Sequence, residues 1–175
     1  MATILQLTRK LLERPATPVV GDVRLRHYQT PDDIAVWLEL RRRAFSRQKT
    51  GVGNWDQNDF EREFLHKSWW RDGAMWFAET HSPLTPPTAV GTVTLARRGD
   101  PEEGKPVVHW LAVLPSFRRR RIGRLLMAAL ETAVWDAGGR QVWLETHSQW
   151  DEATRLYEAL GYEQVQQQPA ETRDA

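Results

Sequence analysis

The stretch VLPSFRRRRIGRLLM, residues 113–127, decides how the rest of the chain is read. Val113 and Leu114 close an apolar run, Pro115 and Ser116 mark a turn, and Ile122 opens a segment with helical spacing. Between them stand four consecutive arginines. A helix start carries partial positive charge, so cations are unfavourable there. Such a cluster either projects into water or surrounds an anion. The unclaimed amides of a first helical turn bind phosphate without side-chain help. Gly123 allows close backbone approach, and Arg118, Arg119, Arg120, Arg121 and Arg124 add charge and paired donors suited to phosphate oxygens. A solvated arginine face and a nucleic-acid contact are the alternatives. The stretch is neither a P-loop nor a GxGxxG dinucleotide turn.

Working outward, VVHWLAVL (residues 107–114) is the most continuous apolar run and reads as a central strand. On the other side, positions 122, 125, 126, 129, 130, 133, 134 and 137 form one apolar helical stripe, ended by Gly138 and Gly139. VRLRHY (23–28) reads as a strand. A helix over 31–45 follows, with Thr30 as N-cap and Pro31 in its first turn. The loop QKTGVGNW leads to a second helix within DQNDFEREFLHKSWW, opened by an Asp56/Asp59 box and ended by Asp72 and Gly73. AMWFAE (74–79) and AVGTVTLARR (89–98) form a hairpin across the proline-rich turn HSPLTPPT. QVWLET (141–146) is a strand, DEATRLYEALG a helix, and YEQVQQQ an edge-like strand. This order predicts a single α/β domain with a mixed, mostly antiparallel central sheet flanked by helices, over residues 21–168. Residues 1–20, with an amphipathic segment (Ile4, Leu5, Leu7, Leu11, Leu12) and then Pro15 and Pro18, read as an N-terminal extension. Residues 169–175 read as a polar tail.

Composition narrows the function. With 41% apolar and 27% charged residues among 175, the chain is globular rather than disordered. A net charge of +1 provides no global attraction to nucleic acid or to a membrane surface. Cysteine is absent, which removes thiolate nucleophiles, disulfides and Cys-ligated metals, and suits a cytoplasmic setting. MATILQLTRKLLERP lacks the apolar centre of a secretory signal, and no run approaches the length of a membrane span. No His, Asp and Glu trio has metal-ligand spacing, so no metal is expected.

The arrangement resembles the GCN5-related N-acetyltransferase family, whose acetyl-CoA motif is roughly V-x-P-x-x-R/Q-x-x-G-x-G/A-x-x-L. Here it stands as Val113, Pro115, Arg118, Ile122, Gly123 and Leu126. A downstream A-x-x-L-Y-E-x-x-G-F/Y signature stands as Ala153, Leu156, Tyr157, Glu158, Gly161 and Tyr162. The resemblance implies acetyl-CoA as cosubstrate. Its diphosphate would be held at Arg119, Arg120, Arg121, Ile122, Gly123 and Arg124, and pantetheine would pair along Leu111, Ala112 and Val113. The strand at 141–146 would diverge to admit it. Arg121 replaces the first motif glycine and is expected to point outward or meet a phosphate. Trp150 stands where many relatives carry an asparagine that touches pantetheine, and is expected beside the cofactor or capping the last helix.

Acetyl transfer to an amine needs a base for the ammonium and an acid for the departing thiolate. Tyr157 is the acid candidate within its motif. His109, two residues before Leu111, is the base candidate, with Glu79, Glu145 and His147 in reserve. For each the alternative is packing alone. With no cysteine, and no serine in GxSxG, direct attack by a primary amine in a ternary complex is expected. The acceptor would meet the loop QKTGVGNWDQ and the hairpin turn, with Trp55, Phe60, Phe64, Trp69 and Trp70 as an apolar wall or as core. Asp56 and Asp59 would attract the amine or cap a helix. The rivals are a degenerate CoA-binding or protein-interaction domain, and an acyltransferase with a longer acyl group or a non-amine acceptor. An exposed last strand and amphipathic residues 4–12 are compatible with a homodimer.

Overall fold

The computed structural model describes residues 3–46, 53–100 and 103–169. Most of the QKTGVGNW loop and of the polar tail therefore lies outside the described residues. The elements are β1 (Thr3–Lys10), β2 (Val23–His27), α1 (Asp32–Ala44), α2 (Gln57–Phe60) continuing into a π-helical turn (Glu61–Leu65), β3 (Met75–Ser82) and β4 (Thr85–Arg98). After these come β5 (Lys105–Val113), α3 (Ile122–Asp136), β6 (Gln141–His147), α4 (Asp151–Ala159) and β7 (Glu163–Pro169). Seven strands form one sheet in the order β2-β3-β4-β5-β6-β1-β7. Every neighbouring pair is antiparallel except β5 and β6, which α3 joins as the crossover.

The boundary expected at residue 21 is corrected. Residues 3–10 lie inside the sheet, paired with β6 on one side and β7 on the other. Leu5 and Leu7 alternate inward, and Arg9 continues that period of two. Its charge is met by Glu131 of α3 at 2.6 Å.

Two further details differ. Thr30 does not cap α1. Asp33, buried, accepts the Gln29 and Thr30 amides at 2.8 and 3.3 Å and the Arg26 guanidinium at 2.7 Å. Burial pushes its carboxyl up, but Arg26 and the two amides outweigh this and hold it below its ordinary range. The hairpin turn is also tighter than expected, since the strands run on until Ser82 pairs Thr85. Pro86 and Pro87 are tolerated because their stretch of β4 runs past the end of β5, beside a register shift against β3.

The Asp56/Asp59 box forms as expected, each carboxylate accepting the other's amide, at 3.0 and 2.9 Å. Gly138, with φ of 88°, ends α3. Ile122 and Leu126 of α3 pack closely over Gly91 of β4. The opposite face carries Thr94 and its partner His109, and is covered by α1, α2 and the π-helical turn through Trp37, Phe60 and Phe64.

Candidate functional site

β5 and β6 are paired at a single register position, Val107↔Trp143. From His109 onward the β5 edge facing β6 carries no ladder. On its other edge β5 accommodates one extra residue: Thr94 pairs His109 while Thr92 pairs Ala112. Trp110, in this bulge, has φ of 51°. A bulge beside an unpaired edge re-aims backbone groups and leaves them for a ligand to pair with. Leu111, Ala112 and Val113 lie along this stretch.

β5 runs directly into the arginine turn. The Leu114 amide donates to the Val90 carbonyl at 2.9 Å and Phe117 to Leu114 at 2.9 Å, fixing the turn. Among the described residues, the amides of residues 119–124 have no acceptor, and no side chain caps α3. Arg119, Arg121 and Arg124 are exposed, without a carboxylate partner among the described residues. Arg120 lies over the Phe117 ring at 5.0 Å. The result is a helix mouth of free donors ringed by cations, suited to a polyanion.

Three residues of the motif have roles that spacing did not show. Arg118 is turned into the chain, with Nε on the Val113 carbonyl, Nη2 on the Ala44 carbonyl and Nη1 on Glu152. It thus ties the end of β5 to α1 and α4. Gly123 lets α4 pack closely: a Cβ there would lie 2.9 Å from Leu156 Cδ2, so that side chain would have to shift. Arg121 has φ of 64° and is exposed. It adopts a left-handed conformation that favours glycine, and points outward.

The proton-handling candidates occupy different surroundings. Tyr157 is buried, its ring 5.8 Å from that of Tyr162. Its hydroxyl makes no hydrogen bond among the described residues. Burial raises the phenol well above its ordinary pKa, so it stays protonated at neutral pH. His109 is half-buried among Phe64, Trp69 and Trp110. Burial, with the charges of Arg98 and Lys67 acting in the same sense, pushes its imidazole down to about 4. It is therefore neutral at pH 7.

Of the reserves, Glu79 is bound by Arg26 at 2.6 Å, beside Asp33. Glu145 is gripped by both Arg98 terminal nitrogens at 2.7 Å. His147 lies 4.8 Å from Trp150 with the rings tilted, and its buried Nδ1 has no partner among the described residues. Trp150 precedes α4 without a side-chain cap and lies between His147 and Phe45.

The aromatic wall divides. Phe60 and Phe64 are core, while Trp55, Trp69 and Trp70 are partly buried around it. Sequence reasoning missed the centre of this cluster, formed by Trp37, Trp110 and Arg41. Arg41 is 4% exposed. Its guanidinium lies 4.2 Å from the Trp55 ring and 4.8 Å from the Trp110 ring, and Nη1 donates to the Gly53 carbonyl at 2.9 Å. Burial pushes its pKa down to about 10, with Asp59 opposing weakly. The available signal was the spacing of Trp37, Arg41 and Phe45, four residues apart on one helical side.

With this geometry in place, the comparisons with known proteins are consistent. Residues 34–162 match the family model described as the acetyltransferase (GNAT) family. A mycothiol acetyltransferase of Sanguibacter keddieii is 30% identical over 151 residues, covering 85% of this chain and 46% of that protein. The chain spans about half the length of the curated mycothiol acetyltransferases it matches. Among solved structures, a GCN5-related N-acetyltransferase from Sphaerobacter thermophilus superposes with a TM-score of 0.73 at 17% identity, over 95% of this chain and 49% of that one. A chain of the NatC complex bound to Gag peptide and CoA gives 0.65 at 16% identity, over 83% and 87%. At such identities the structures speak for the fold.

Proposed function

The chain belongs to the acetyltransferase (GNAT) family, and from that premise we propose that it is an acetyl-CoA-dependent N-acyltransferase acting on a primary amine by direct attack in a ternary complex. One observation carries this reading: the unpaired β5 edge leads straight into the uncapped, arginine-ringed mouth of α3. A long ligand with a polyanionic end and an amide-bearing arm fits that continuity.

When bound, acetyl-CoA supplies an acetyl thioester. The chain's own groups do the rest. Amides 119–124, with Arg119, Arg120, Arg121 and Arg124, hold the diphosphate. Leu111, Ala112 and Val113 offer backbone partners to the pantetheine arm. Tyr157, protonated through neutral pH, provides a proton for the departing sulfur. His109, neutral above about pH 4, accepts one from the amine directly or through water. Arg118 acts on the site only by fixing the turn, since its donors are engaged inside the chain.

The test is calorimetric titration with acetyl-CoA, followed by thiol-release assays over a panel of amines that includes acceptors of the mycothiol enzymes. Binding with release of free thiol is expected. Absence of any heat at millimolar acetyl-CoA would overturn the reading.

A further inference from the structure

The helix mouth, the β5 edge and the two proton carriers leave Arg41 without a task. A buried cation is costly unless an anion meets it, and among the described residues none does. Its Nε is buried without a partner among the described residues. Among the described residues its one hydrogen bond runs from Nη1 to a neutral carbonyl, that of Gly53. Asp59, the acid that acts on it, is already held by the Asp56 amide and by Arg62. Residues 47–52 include no acidic side chain. By contrast Arg26, also on the α1 side of the sheet, meets both Asp33 and Glu79.

Place and shape narrow the missing partner. The guanidinium lies over the indole of Trp110, the bulge residue at the unpaired edge of β5. One turn further along α1, Phe45 touches both Trp110 and Trp150. Arg41 is therefore on the side of the sheet where substrate would meet the β5 edge. With Nη1 on Gly53 and indoles against the group, Nε, itself buried, and Nη2 are left without partners among the described residues. Two parallel N–H donors match the two oxygens of a carboxylate.

We propose that Arg41 is a binding residue for a carboxylate carried by a substrate, in the first instance the amine acceptor. The inference rests on the acyltransferase reading given above. A carboxylate on the acyl chain has the same chemistry, and the test separates the two sources.

Acetylation of α-amino acids is compared with that of their matched amides. Acetyl, butyryl and succinyl thioesters of CoA are compared on a plain amine. Wild type, Arg41→Lys and Arg41→Met are used throughout. In wild type a carboxylate acceptor is expected to exceed its amide about tenfold in kcat/KM, the effect of one charge-assisted hydrogen-bond pair. The same acceptor should raise the melting temperature where its amide does not. Arg41→Met should erase both differences, and Arg41→Lys should keep part of them. A preference for succinyl over butyryl, lost in Arg41→Met, supports the carboxylate site and moves its source to the acyl chain.

Ligand-free Arg41→Met should melt no lower than wild type, because an uncompensated buried charge is removed. If Arg41 merely clamps Gly53 between two indoles, that variant melts several degrees lower, and wild type discriminates in neither series. That result overturns the proposal. Should Arg41→Met not fold, the wild-type comparisons and Arg41→Lys decide it alone. A protein that binds acetyl-CoA without discriminating carboxylates loses only this inference, whereas one that binds no acetyl-CoA loses the broader reading.

Discussion

Two buried charges, Glu131 and Arg41, lie on opposite faces of the same sheet and are treated differently. Glu131 is 1% exposed, and two groups answer its carboxylate: Arg9 Nη1 at 2.6 Å and the Tyr162 hydroxyl at 2.9 Å. Burial still raises its pKa, with Arg9 and Tyr162 opposing. Arg41 is buried almost as fully and is answered by a carbonyl and two rings. The first charge fastens β1 and the start of β7 to α3. The second fastens little that an apolar side chain would not. Among the described residues most buried polar atoms without partners, Trp37 Nε1, Arg41 Nε, Thr94 Oγ1, Trp110 Nε1 and His147 Nδ1, lie on the α1 face. On that face the interior is built for something other than itself.

The largest expected effect breaks the fastened side. Arg9→Ala removes the cation from beside Glu131 and leaves a carboxylate buried with one neutral donor. Breaking a buried pair this way costs about 3–5 kcal/mol, and urea denaturation at pH 7 reads it. A loss no larger than that of Arg41→Met would erase the contrast between the two charges.

Next comes Tyr157. Tyr157→Phe keeps the ring packed on Tyr162 and removes only the hydroxyl, which has no partner among the described residues. Stability should hardly change, while kcat should fall about 100-fold with acetyl-CoA affinity retained, the size of effect typical of a lost general acid. Unchanged turnover would return Tyr157 to a packing role.

What could be read from the sequence follows the reach of each interaction. The α3 mouth was legible because it is local: strand, turn and helix are contiguous, and the apolar stripe from Ile122 onward needs no distant partner. The α1 and α4 helices and the central strand were legible for the same reason. β1 was hidden because Leu7 and Leu11 also fit a helical repeat, and because Arg9, at an inward position, interrupts the alternation. Only Glu131, distant in sequence, explains that arginine. Arg118 looked like a phosphate ligand because its partners, Ala44 and Glu152, come from other elements. Arg41 was missed although Trp37 and Phe45 flank it one turn either way, because the indoles that bury it come from a loop and a strand.

The pH dependence sharpens the reading of the α1 face. His109 binds its proton less readily folded, at about 4, than unfolded, near 6.5. Between those values the unfolded chain holds more protons, so stability rises with pH. The contribution is complete above about 6.5 and is lost as pH falls through about 4. The gap between wild type and His109→Gln should therefore change by about 2 kcal/mol across that window, discounted from the full linkage value because the imidazole keeps some solvent contact. In activity, a base with so low a pKa imposes no acid limb near neutrality. The limb in kcat/KM should instead move with the pKa of the amine when the acceptor is changed, and a limb fixed near 6.5 for every amine would count against this environment for His109.

The smallest effect returns to the exposed arginines, where water rather than protein compensates charge. Arg121 holds φ of 64° without being a glycine, a conformation that costs a non-glycine residue about 1 kcal/mol. Arg121→Gly removes that strain and adds about 0.5 kcal/mol of unfolded-chain freedom, so the net gain in stability is about 0.5 kcal/mol. The same change takes one cation from the ring around the α3 amides. Acetyl-CoA should then bind a few-fold more weakly, and the difference from wild type should shrink as salt is raised, since exposed charges are screened. Stability and affinity thus move in opposite directions at Arg121. For Arg41→Met the stability change has the same sign, but the affinity that falls is for a carboxylate and is far less sensitive to salt, because that guanidinium is buried. A Arg121→Gly variant that lost both stability and affinity would mean its side chain is part of the packing, and the division between solvated and buried arginines would no longer separate their roles.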